Sequence, residues 1–211
     1  MNFTDYLNNA WSTHASNPKE VADEFKTNFN LMNSDDDVMA ISRLIVHVCG
    51  EHLGNWQQGI ELLRKLKNNA PIKDKNEMNR LMAILDLGND PNISIDKFSP
   101  SDKTIIYATT AAALASLGGI KNAVVLYLKA CEIAQVEISA EDPANRSLAI
   151  ASKSIARTLE NKKERTQKES ELMIAAETTA RKYWEIAGNR EEVELCQETL
   201  KKLEALSATS P

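Results

Sequence analysis

Along most of the chain apolar residues return every three or four positions, the period of a helix that buries one face. The pattern is clearest over residues 107–133, which read as two apolar helices joined by Leu117, Gly118 and Gly119. The first carries Ala108, Ala111, Ala112 and Ala115, small residues over which a neighbouring helix can come close. The second carries Ala123, Val124, Tyr127, Leu128 and Cys131 at the same period. Two such helices form a hairpin that cannot bury both faces alone, so the stretch predicts similar hairpins on either side.

Start and stop residues place the other elements. Residues 3–14 and 18–31 read as a first helical pair, broken where Asn17 can cap and Pro18 can take the first helical position, with Trp11, Val21, Phe25 and Phe29 buried. A second hairpin spans 38–53 and 56–67, with Gly54 and Asn55 at its turn and Pro71 closing it. The run Ser34, Asp35, Asp36, Asp37 directly precedes an apolar-periodic segment, so it reads as a helix cap with favourable dipole charge and not as a metal site. Asp74 caps a helix over 75–87, which Gly88 and Pro91 end, and 92–99 is irregular or a short helix. Ser99 starts the Ala-rich hairpin, which ends near Val136. Asp142 and Pro143 launch a helix to Leu159, and a long one follows from the turn at Glu160 and Asn161 to about Ala187. Gly188 and Asn189 then turn the chain into a final helix over 191–206, with a frayed tail from Ser207.

Composition agrees with helix-on-helix packing. Across 211 residues there are only 7 Gly and 6 Pro, and aromatics make up 5% against 43% apolar residues, the balance coming from Ala, Leu and Ile. The fold class expected is all-α, with about ten helices stacked as antiparallel hairpins in one domain over 1–211. A net charge of -5 argues against coating a phosphate backbone, so no nucleic-acid partner is expected. Cys49, Cys131 and Cys196 are odd in number and sit in apolar helical patterns, which suggests reduced thiols and a cytoplasmic location. The start, MNFTDYLNNAW, lacks a basic segment followed by an apolar one, and no apolar run is long enough to span a bilayer, so neither secretion nor a membrane is expected.

The turns repeat: HLGNWQQGIELLRKL at His52, SLGGIKNAVVLYLKA at Ser116 and IAGNREEVELCQETL at Ile186 share a glycine, three variable positions and an apolar helix. Gly54, Gly88 and Gly118 fall 34 and 30 residues apart, and Gly188 a further 70. A period near 34 with two helices per unit resembles the tetratricopeptide repeat. The resemblance is best over 38–71, where Gly54 matches the turn glycine, Trp56 the aromatic after it, Gly59 a small packing residue and Pro71 the terminal proline. It is also good over 101–136, with Gly118 as turn glycine, Ala123 and Ala130 as small packing residues and Tyr127 between them. Pairs at 3–31, 144–187 and 174–206 resemble degenerate copies: Arg190 stands where the aromatic belongs in the last, and the pair from Ala144 lacks the turn glycine; the Gly88 unit is degenerate too, with Pro91 where its second helix should begin.

What the resemblance implies is a non-catalytic scaffold that binds a protein or peptide on a concave face, without a cofactor. The family's inner positions fall on Ile41, Leu44, Ile45 and Val48, on Ile105, Ala108, Thr109 and Ala112, and on Thr178, Thr179, Lys182 and Glu185. The first two sets lack the Lys, Arg and Asn with which a subset of the family grips a C-terminal carboxylate, so no such clamp is expected. The apolar inner positions could equally be covered by the chain's own helices or by a second subunit in a homodimer.

One stretch carries metal-binding residue types: His47, Cys49, Glu51 and His52. On an α-helix His47 and Glu51 share one face and Cys49 and His52 another, which a single ion would not tolerate well, and only His14 remains as a further histidine. The expectation is therefore no metal, with His47 or His52 hydrogen-bonded between helices. The alternative is a helical metal-binding or enzymatic protein using His47, Glu51 and His52. Acidic pairs such as Glu191 and Glu192 lack an accompanying base, nucleophile or phosphate loop, so no enzyme is expected.

Overall fold

The computed structural model describes residues 2–69 and 74–208, and among these every regular element is helical. Ten α-helices are present among the described residues, as an all-α fold requires. The expected single domain over 1–211 is drawn by its contacts into two compact units, Met1–Ser94 and Ile95–Pro211. Pro71, read as a terminal proline, lies outside the described residues, as do the last three residues of the tail.

The first unit holds α1 (Phe3–Thr13), α2 (Pro18–Asn28), α3 (Asp35–Ile45), α4 (Trp56–Asn69) and α5 (Lys75–Asn89). The helix expected over 18–31 stops at Asn28 and tightens into a 3₁₀ turn, Phe29–Leu31. The acidic run is a helix start: Ser34 Oγ accepts from the Asp37 backbone N–H at 3.1 Å, and the Asp37 carboxylate accepts from the Ser34 N–H at 3.2 Å, a complete capping box. From there α3 carries Ile41, Leu44 and Ile45 into the core, where they meet Leu62, Leu63 and Leu85 as fellow buried residues. Arg43 ties α3 to α5 through two hydrogen bonds to Glu77, at 2.7 and 2.8 Å.

The helix expected over 38–53 does not keep one winding. After Ile45 the backbone opens into a π-helical segment, Val46–His52, in which the Leu53 N–H reaches back five residues to the Val48 carbonyl at 3.1 Å. Gly54, with φ +60°, then turns the chain into α4. Gly88, expected to end a helix, instead lies inside the last turn of α5. It is needed there for space, since a Cβ on Gly88 would sit 2.4 Å from Cε3 of Trp56.

The second unit holds α6 (Pro100–Ser116), α7 (Ile120–Glu137), α8 (Ala144–Glu160), α9 (Gln167–Ile186) and α10 (Arg190–Ala208). Residues 92–99 contain no helix. Ala108, Ala111, Ala112 and Ala115 are all buried, and α6 packs closely on both α7 and α8. Gly118 and Gly188 turn between helices at φ +81° and +72°. The charged segment 161–166, expected to begin a helix, is irregular, and α9 starts only at Gln167. There Thr166 caps it with Glu169, whose carboxyl the Lys162 ammonium draws down to about 2.

Candidate metal centre

Three histidines converge in the first unit. His14 closes α1, its backbone N–H bonded to the Ala10 carbonyl, while His47 and His52 stand at the two ends of the π-helical segment. In an α-helix five residues turn through about 500°, which leaves side chains at i and i+5 roughly 140° apart. The wider π winding, whose hydrogen bonds run from i to i+5, brings residues five apart much closer to one face. Residue spacing that α-geometry sets on two faces is thereby brought onto one: His47 Nε2 lies 3.0 Å from His14 Nε2 and 3.2 Å from His52 Nε2. The ring centroids form a nearly equilateral triangle with sides of 4.7, 4.8 and 5.0 Å.

The outer nitrogens decide what the inner ones carry. His14 Nδ1 faces the Trp11 carbonyl oxygen at 2.6 Å, and His47 Nδ1 faces Glu51 Oε2 at 2.7 Å. Both oxygens only accept, so both Nδ1 atoms hold the proton and donate it. Where both rings are neutral their Nε2 atoms are left with lone pairs, and these face one another across 3.0 Å. Two acceptors at that distance need a cation between them, either a proton on one ring or a metal ion held by all of them. Three Nε2 ligands at about 2.0 to 2.1 Å around a tetrahedral zinc would lie about 3.3 Å apart, close to the 3.0 and 3.2 Å that separate His47 from the other two, and one ligand atom from each of the three rings lies within 4.8 Å of the others.

The surroundings suit ligation. Burial works to raise the Glu51 carboxyl, but the hydrogen bond from His47 and the neighbouring imidazoles outweigh it and hold the group below the usual carboxylate range. His52 is held below the ordinary histidine value, first by burial and then by the field of His47, with Glu51 pulling the other way. Carboxylate and carbonyl partners on the outer nitrogens are the usual means of orienting metal-bound imidazoles. Cys49 belongs to a different environment: it is fully buried on the opposite side of the segment, and burial pushes its thiol up to about 12.

Trp11, expected in the core, is 39% exposed and lies over the cluster, with its ring centroid 5.2 Å from that of His14 and 5.5 Å from that of His47. Its place three residues before His14 on α1 was the available clue. His14 lies 33 residues before His47, and nothing local in the sequence marks their approach, which depends on tertiary packing.

The inner positions of the repeat resemblance fare differently. Ile41, Leu44, Ile45 and Val48 lie within the first unit's core, at most 1% exposed, covered by the chain's own helices and offering no surface to a ligand. In the second unit Ala112 is buried, Ile105 and Thr109 are half-buried, and Thr178 and Lys182 are exposed. Among the described residues no helix is long and apolar enough to cross a membrane. No protein-family model, curated protein or solved structure matches the chain.

Proposed function

We propose that the first unit binds one divalent transition-metal ion through the Nε2 atoms of His14, His47 and His52, with a fourth position left for water or a small ligand. The observation that carries this reading is the approach of His14 Nε2 and His47 Nε2 to 3.0 Å with a proton acceptor behind each ring. An all-imidazole set favours zinc, copper, nickel or iron over magnesium or calcium, which prefer oxygen. Three protein ligands with an open fourth position distinguish such a site from a closed structural one. The reading assigns binding to the chain and no particular reaction.

Purified chain, stripped of metal and titrated with zinc against a chromophoric chelator, should take up one equivalent. His47→Ala should abolish that uptake while the helical circular-dichroism spectrum persists. A folded wild-type chain that takes up no zinc, copper, nickel or iron would leave the three rings sharing a proton and would overturn the reading.

A second reading, a peptide-binding scaffold of the tetratricopeptide type, draws support from the second unit. There Gly118 and Gly188 turn between antiparallel helices and the expected inner residues Thr178 and Lys182 are exposed. Its mark would be a peptide ligand whose affinity falls with Lys182→Glu and is indifferent to zinc.

A further inference from the structure

The histidine cluster is built on a winding that the chain does not ordinarily adopt. π-Helical turns are rare because α-helical hydrogen bonds fit the backbone better, and where they occur they are concentrated at functional sites. In this protein the winding is what allows His47 and His52, five residues apart, to aim the same nitrogen at one point 3.2 Å apart. An α-wound segment would carry His52 away from His47 and leave no three-nitrogen site. A metal held by both rings therefore interacts with one winding and not with the other, which is the condition for shifting an equilibrium between them.

The opposite side of the same segment is tied to α4 and α5. Gly50 is buried with its Cα against the Trp56 indole, and a Cβ there would lie 2.8 Å from Trp56 Cζ3. The same indole covers Gly88 of α5. On the next turn, a Cβ on Gly59 of α4 would lie 3.1 Å from the Cβ of Cys49. These are close approaches that only the present register permits. Rewinding 46–52 as an α-helix rotates each residue relative to the last, moves Gly50 off the indole and brings a side chain toward it.

We infer that metal occupancy at His14, His47 and His52 controls the winding of Val46–His52, and through Gly50 the seating of Trp56 between the segment and α5. The inference rests on the metal-binding reading above and adds regulation to it: the bound ion is coupled to the packing of α4 and α5 on the far side of the segment. Because coupling is reciprocal, a change at Gly50, which touches no ligand atom, alters metal affinity as well.

Hydrogen exchange on the full wild-type chain, with and without one equivalent of zinc, tests this. Zinc should slow exchange of the Leu53 amide, which closes the π-register bond to Val48, and of the Asn55 amide, which bonds the Cys49 carbonyl just beyond it, by about tenfold or more. The His52→Ala chain should show no such slowing, and Gly50→Ala should bind zinc at least about tenfold more weakly with unchanged stoichiometry. If zinc binds the wild-type chain at one equivalent but exchange at Leu53 and Asn55 is unchanged, the coupling is wrong and the metal site stands. If no zinc binds, both fall together.

Discussion

His47 Nδ1 lies 2.7 Å from Glu51 Oε2, so the carboxylate sits directly behind the ring whose other nitrogen faces both remaining histidines. Glu51 fixes the tautomer of His47 and makes its Nε2 a better donor to a cation. Glu51→Gln keeps an acceptor oxygen but loses the charge. It should weaken zinc binding by about 10- to 100-fold while leaving one equivalent bound, as measured by chelator competition.

Inside the second unit, Lys153 donates to the carboxylate of Glu177, whose side chain is 1% exposed. Removing the cation strands a buried charge. Lys153→Met should destabilise the chain by about 3 kcal/mol in urea unfolding, and Lys153→Met combined with Glu177→Leu should recover most of that loss. Equal stabilities for the single and double variants would show that the pair is not coupled.

The glycines divide by the cause that requires them. At Gly118 a Cβ would meet nothing within 4 Å, so Gly118→Ala should cost only the left-handed backbone, about 1 kcal/mol. Gly88→Ala drives a methyl into the Trp56 ring and should cost about 2 kcal/mol or more, accompanied by a change in indole emission. Denaturant midpoints for the two variants decide the order.

Burial pushes the Cys196 thiol up to about 12, and the Glu177 carboxylate adds to the shift; Cys49 is raised to the same value by burial alone. In the unfolded chain these thiols ionise near their ordinary value of 9.0, so between 9 and 12 the folded state holds more protons. Stability is therefore full below pH 9 and falls as pH rises toward 12. At pH 8 an alkylating reagent should modify half-buried Cys131 first and reach Cys49 and Cys196 only after unfolding, as mass spectrometry of the labelled peptides would record.

Much of the fold was legible because its devices are local. Ser34 with Asp37, Ser99 with Asp102 and Asp74 with Glu77 announce helix starts within three residues, and the side-chain bonds are present at 2.8 to 3.1 Å. The small residues of α6 likewise predict close helix contact from spacing alone. Gly88 misled because a glycine near a helix end is ambiguous in sequence: a positive φ and a pressing indole demand the same residue. The histidine site was hidden for a related reason. Periodicity assumes 100° per residue, and a π-helical segment breaks that assumption where His47 and His52 need it broken. His14 reaches them through packing of α1 near α3, a contact no local pattern encodes.

What lies between the three imidazoles decides the chemistry of the site. X-ray absorption at the zinc edge, on the full chain loaded with one equivalent, reads the first coordination sphere directly. Three imidazole nitrogens and one further light ligand are expected at about 2.0 to 2.1 Å. A sulfur shell near 2.3 Å, or a spectrum of zinc surrounded by water alone, would contradict the three-histidine site.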